Sequence, residues 1–174
     1  MAKVQLIILN RNWNKHYQIV ALLGAAAVLA AAAIVFLSCR TYTVKDSSMS
    51  PSLKAGDKLY YCRFQQFQYD DLVLFQSDSS GRMCVKRVVG LAGDTIRLGE
   101  NGHVVRNGVL LKEPYATLHT GGISAAKELI VGENTLFVLS DNRNSFSALQ
   151  NVENGQIPLS SVYGIIVRIV RVFH

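Results

Sequence analysis

Ser47-Ser48-Met49-Ser50-Pro51 places a small hydroxyl beside a turn-forming proline, shortly after an uncharged apolar run that ends at Leu37. A serine is a weak nucleophile until a neighbouring base takes its proton, so any chemistry at Ser48 needs a base from elsewhere in the chain. Lys86 is the strongest candidate. It lies in a β-type run between Cys84 and Val88, and residues two apart on a strand share a face, so its amine is expected against apolar or weakly polar groups. Burial of that kind disfavours the ammonium form and can lower a lysine pKa by several units from about 10.4, and the neutral amine can then act as a general base. Histidine is the other usual base, and the chain has four: His16, His103, His119 and His174. None stands in a local sequence that marks a catalytic histidine, although a triad is assembled in space and spacing alone does not decide the matter.

The residues that must carry this pair fall into three segments: 1–18, a short N-terminal stretch; 19–38, a transmembrane helix; and 39–174, a β-rich domain. Ile19 to Leu37 is nineteen apolar or glycine residues without a charge, eight of them alanine. As a helix it extends about 28 Å, close to the roughly 30 Å hydrocarbon core of a bilayer. Lys3, Arg11 and Lys15 precede the run and Arg40 and Lys45 follow it, a slight bias that places the N-terminus in the cytoplasm and the large C-terminal part outside. Beyond Thr41 the pattern changes to short β-type runs: Lys58–Cys62, Asp71–Phe75, Cys84–Val89, Asp94–Leu98, His103–Arg106, Thr135–Leu139 and Val162–Phe173. Asn101-Gly102 and Asn107-Gly108 bracket one of them with dipeptides suited to tight hairpins. The expected fold is mainly β, an antiparallel sandwich or partly closed barrel, with long polar loops over Thr117–Lys127 and Asn142–Gln156.

The net charge of +6 divides into +3 before the apolar run and +3 after it. This mild balance suits a domain near anionic lipid headgroups, and the basic clusters with interleaved aromatics of nucleic-acid binders are missing. Phe64, Phe67 and Tyr69 are candidates for an apolar surface that dips into the membrane, with core packing as their other reading. Cys39, Cys62 and Cys84 have no metal-ligand spacing, and no cofactor site is visible. Cys62 with Cys84 is one conceivable disulfide, and Phe36-Leu37-Ser38-Cys39 is a weak match to a lipidation site.

Four further stretches, taken in order, carry a resemblance. Ser48-Met49-Ser50-Pro51-Ser52-Leu53 with Gly56-Asp57, then Tyr69-Asp70-Asp71-Leu72-Val73-Leu74-Phe75, then Lys86-Arg87-Val88-Val89-Gly90-Leu91-Ala92-Gly93-Asp94, then Ser140-Asp141-Asn142-Arg143 resemble the sequence boxes of type I signal peptidases. The likeness extends over nearly all of the chain, including Asn107-Gly108 to Glu113-Pro114-Tyr115. It implies Ser48 as the acylated nucleophile and Lys86 as the base, in the bacterial Ser/Lys form of the family, with no cofactor. It also implies a domain facing away from the cytoplasm at the plasma membrane, and secretory precursors as substrates, cut after small-x-small sites such as Ala-x-Ala. Met49 and Pro51 fall in the substrate groove, with Met49 beneath the nucleophile.

The departures from the family pattern are informative. The backbone N–H of Ser48 is the family-implied oxyanion donor, but the position two residues earlier, where some members add a serine hydroxyl, is Asp46 here. Gly is usual before the Asp-Asn-Arg triplet and Pro within the Gly-Leu-Pro-Gly-Asp run, whereas this chain has Ser140 and Ala92, read as tolerable backbone changes. The family's following Asp-Ser-Arg triplet is replaced by Asn144-Ser145-Phe146-Ser147-Ala148-Leu149. Ser145 or Ser147 is then the candidate for the hydroxyl that orients the lysine, and Asp141 and Arg143 are either supporting site residues or loop pins. Two other readings stand beside the general peptidase: a silent β-domain that binds exported peptides, and a processing peptidase for a narrow client set.

Overall fold

A computed structural model describes residues 16–31, 33, 39–63, 66–77, 80–99, 102–118, 128–143 and 155–172. The chain divides into two units, Met1–Cys39 and Arg40–His174. In the first, residues 16–31 are helical and exposed. Among the described residues no helix is long and apolar enough to cross a membrane; part of the apolar run, at 32 and 34–37, lies outside them.

The second unit is mainly β and antiparallel. The strands, the first of which starts at the boundary residue Cys39, are β1 (Cys39–Thr43), β2 (Lys58–Cys62), β3 (Leu72–Gln76), β4 (Met83–Gly90), β5 (Thr95–Leu98), β6 (Val104–Arg106), β7 (Val109–Leu110), β8 (Leu129–Ile130), β9 (Thr135–Leu139), β10 (Gln156–Pro158) and β11 (Val162–Val170). Seven of them form a sheet in the order β1-β2-β11-β3-β4-β9-β10, and four form a second in the order β7-β6-β5-β8. All seven predicted runs are present to within a residue or three at their ends. The hairpin prediction at Asn107-Gly108 is met: both residues have positive φ, 52° and 77°, and Arg106 faces Val109 across the two-residue turn.

The apolar alternation places three packed clusters. Val89, Ile96, Leu98, Val104, Val131, Phe137 and Leu139 join residues of the second sheet to β4 and β9. Val73, Phe75, Val88, Leu136, Val138, Ile157 and Ile165 line one part of the large sheet. Val44, Met49, Leu53, Leu59, Leu74 and Val85 line another, and this third cluster fixes the segment that follows β1. Met49 and Leu53 are 1% and 0% exposed, and full burial of such side chains is worth roughly 1.5–3 kcal/mol each. Those two anchors hold the Ser48 turn against β3 and β4. Close strand packing also explains a glycine: a Cβ at Gly164 would lie 2.5 Å from the Cys62 carbonyl oxygen, where β11 runs beside β2.

Three expectations are corrected. Cys39 and Cys62 are the disulfide-bonded cysteines and Cys84 is a free thiol, so Cys62 does not pair with Cys84. Phe67 packs against the second cluster, whereas the Tyr69 hydroxyl donates to Asp94 and its ring stacks under Arg106, with Phe64 outside the described residues. Phe67 therefore takes its core-packing reading, and Tyr69 is held by Asp94 and Arg106. The loop expected over Asn142–Gln156 gives way at its end to edge strand β10, whose Gln156 pairs with Phe137.

Candidate active site

The Ser48 turn begins with an Asx-type cap. The Asp46 carboxylate accepts the Ser48 backbone N–H at 2.9 Å, Ser50 N–H bonds the Ser47 carbonyl, and Leu53 N–H bonds the Met49 carbonyl. Ser48 itself is half-buried, Met49 lies in the core beneath it, and Pro51, after a cis Ser50–Pro51 bond, is exposed.

Lys86 sits in the middle of β4, opposite the buried Val73 of β3. Its Nζ donates to Ser140 Oγ at 2.6 Å. Burial lowers the Lys86 pKa below its ordinary value, against the opposing pull of Asp46, Cys84 and Asp141. The same groups meet from the other side at Asp46. Burial raises its pKa, but hydrogen bonds from the Ser48 side chain and N–H, together with the Lys86 charge, outweigh this and hold it below the usual carboxylate range. Ser48 and Lys86 thus both interact with Asp46, although no hydrogen bond joins them directly. Catalytic hydrogen bonds are often long before substrate binds.

Four consecutive residues after β9 hold this arrangement. Ser140 bonds Lys86. Asp141, fully buried, receives a fork from Arg87, with Nε at 2.8 Å and Nη2 at 2.6 Å. The Asn142 N–H donates to the Ser48 carbonyl at 2.9 Å, and its side-chain amide to the Ser47 carbonyl at 3.3 Å. Arg143, 1% exposed, donates from Nη1 to the Gly102 carbonyl at 2.7 Å and to Glu113 at 2.8 Å, and from Nη2 to the second Glu113 oxygen. Arg87 also lies 4.0 Å from the Tyr115 ring centroid and donates to the Asp70 carbonyl at 3.0 Å.

Of the residues singled out from sequence, the structure therefore brings together Ser48, Lys86 and Asp141, with Arg143 anchoring the same segment from behind. Ser145 and Ser147 lie outside the described residues, as do His119 and His174. Neither described histidine, His16 nor His103, hydrogen-bonds Ser48. Among the described residues no group of His, Cys, Asp and Glu could hold a metal ion. Sequence reasoning missed Ser140, Glu113 and Arg87. Glu113 supplies the carboxylate that pairs with Arg143, and it comes from a loop thirty positions away in sequence.

A model of the family described as signal peptidase, peptidase S26, matches residues 16–170. The chain belongs to this family. It is accordingly a serine endopeptidase, a hydrolase. It is 29% identical over 142 residues to signal peptidase I of Bacillus licheniformis, covering 75% of each chain. It is 31% identical over 146 residues to a probable signal peptidase I of Synechocystis, covering 76% of this chain and 72% of that one. A crystal structure of a signal peptidase I from Enterococcus faecalis aligns with a TM-score of 0.47 at 26% identity, covering 60% of this chain and 99% of that one.

Proposed function

We propose that this endopeptidase removes N-terminal signal peptides from exported precursor proteins, cutting after small-x-small sites, with Ser48 as nucleophile and Lys86 as general base. The observation that carries the reading is the Ser140–Asn142 segment, which bonds Lys86 through one side chain and the Ser48 backbone through one amide. That segment keeps a lowered-pKa amine and a serine in one small site. Ser48 Oγ attacks the scissile carbonyl while neutral Lys86 takes its proton. The ammonium then protonates the leaving amine, and water, activated by the same lysine, hydrolyses the acyl-enzyme.

Residues 19–38 are proposed as a single anchor, with the N-terminus cytoplasmic and the β domain outside the plasma membrane. The uncharged run, the basic bias ahead of it and the disulfide-bonded Cys39 and Cys62 support this placement, since disulfides persist in oxidising compartments. The test is cleavage of purified precursors bearing Ala-x-Ala sites, in liposomes, with the product's new N-terminus read by mass spectrometry. Cutting at that site is the expected result. Several such precursors left intact by well-folded protein would remove the general reading and bring a narrow client set forward.

The base assignment fixes the pH profile. Neutral Lys86 is the active form, so kcat/KM rises with pH along the lysine limb, with a midpoint below that of an ordinary lysine because the amine is buried. The same shift affects stability. Between the lowered folded pKa and the ordinary 10.5, the unfolded chain binds the extra proton, so the contribution of Lys86 to stability rises with pH across that window.

Asp46 bears on the oxyanion. With the Ser48 N–H donating to Asp46, the substrate carbonyl oxygen has to replace a carboxylate oxygen there. One preorganised donor is worth roughly 3–4 kcal/mol of barrier, so competition for it is costly. Asp46→Ala is expected to speed single-turnover acylation about tenfold, a modest part of that donor's worth. Asp46→Asn, which keeps an acceptor oxygen without the charge, should give a smaller gain. Slower acylation in the alanine variant would mean that capping the turn outweighs the competition.

A further inference from the structure

We infer that Ser140 is the positioning residue of the lysine base: its hydroxyl oxygen accepts one N–H of Lys86 and so aims the amine's remaining lone pair toward Ser48. The inference rests on the Ser48/Lys86 reading above. The side chain responsible stands where a glycine is the usual residue, and a glycine there could make no such contact.

The sheet register dictates the pairing. Val88 faces Val138 and Arg87 faces Leu139 across β4 and β9, and one further antiparallel step sets Lys86 opposite Ser140. Directly opposed residues on neighbouring strands have their Cβ atoms about 4.5–5.5 Å apart, within reach of a lysine and a serine. On its other side Lys86 faces Val73, which is fully buried and offers nothing to bond. Ser140 is 5% exposed, and it is the only described side chain hydrogen-bonded to Lys86 Nζ.

The position is also rigid. The Ser140 carbonyl accepts Arg143 Nε at 3.3 Å, and the next residue, Asp141, is held by the Arg87 fork. Arg87 adjoins Lys86, so the two ends of the contact are tied to each other a second time. A neutral amine has two N–H groups and one lone pair. When one N–H is taken by Ser140, rotation about the Cε–Nζ bond is restricted, and the lone pair stays available to the Ser48 proton. No bond is made or broken at Ser140 itself.

Two measurements on the full-length protein in detergent micelles test this. In the first, Ser140→Gly and Ser140→Ala should lower kcat on an Ala-x-Ala precursor about 10- to 100-fold, in line with the cost of slight misplacement of a catalytic group, with KM little changed. Ser140→Thr, which restores a hydroxyl, should recover most of that loss. In the second, the amine of Lys86 is titrated by NMR through a 13Cε label, and Ser140→Gly should displace its midpoint downward by removing the acceptor that favours the protonated form. Unchanged kcat in Ser140→Gly, or an unmoved Lys86 titration, would overturn the inference. Loss of activity in Ser145→Ala or Ser147→Ala, with Ser140→Gly fully active, would move the role to the following loop. If Lys86→Ala keeps full activity, the dyad reading itself fails; because the titration needs no substrate, the Ser140 contact is still judged separately.

Discussion

Lys86→Ala lowers kcat/KM on a precursor by about a thousandfold or more, the range expected when a general base is removed from a serine nucleophile. Ser48→Ala has an effect of the same order. The double variant is little worse than either, because residues that act as one unit do not contribute additively. Lys86→Arg separates two explanations of the loss. It keeps the positive charge beside Asp46 and Cys84 but cannot give up its proton, so it should be as inactive as the alanine variant. Substantial activity in Lys86→Arg would assign Lys86 an electrostatic part and exclude it as the base. The fold should survive each change. An amine whose charged form is disfavoured by burial stabilises little at neutral pH, so the unfolding temperature of Lys86→Ala should be unchanged or slightly higher.

How far the chain could be read in advance depended on the kind of signal. Strands with dense β-branched and aromatic residues, such as Leu72–Gln76, Thr135–Leu139 and Val162–Val170, stood out because they are central or long. Two- and three-residue strands did not. Leu129–Ile130 is too short to show a period, and Gln156–Pro158 carries a proline, which a sheet tolerates on an edge strand such as β10. The disulfide partners were also hidden, since spacing among three cysteines does not reveal which Cβ atoms meet.

Ser48 and Lys86 were legible as residue types in a recognisable order, but the contacts that set their chemistry were not. Ser140 looked like a backbone substitution because its hydroxyl gains meaning only when the β4–β9 register is known. Asp46 was readable as a group unable to donate. That its carboxylate takes the Ser48 N–H is a property of the turn conformation, and no residue type specifies that. Whether Arg143 was a site residue or a loop pin stayed open for a similar reason: its partner, Glu113, lies in a distant loop, and nearness in the fold cannot be counted along the sequence.

That ion pair gives the largest expected change in stability. The Arg143 and Glu113 side chains are 1% and 3% exposed, so Arg143→Met leaves a carboxylate buried without its counterion, and also strips a donor from the Gly102 carbonyl. Breaking one side of a buried pair typically costs about 3–5 kcal/mol. Glu113→Gln keeps one neutral acceptor and should cost less. Replacing both partners, as Arg143→Met with Glu113→Leu, should recover much of the loss, because the desolvation of two charges disappears together with their attraction. Recovery should still be incomplete, since the Gly102 carbonyl keeps no guanidinium donor. Denaturant unfolding of the full chain in micelles measures all three, and with Glu113→Leu alone as the fourth variant the cycle yields the coupling between the two residues. A single substitution costing less than about 1 kcal/mol would show that the pair is not the anchor of the Ser140–Arg143 segment. With the cost confirmed, activity should fall alongside stability in Arg143→Met. The three residues that Arg143 anchors, Ser140 to Asn142, include both contacts, to Lys86 and to the Ser48 backbone, on which the proposed chemistry depends.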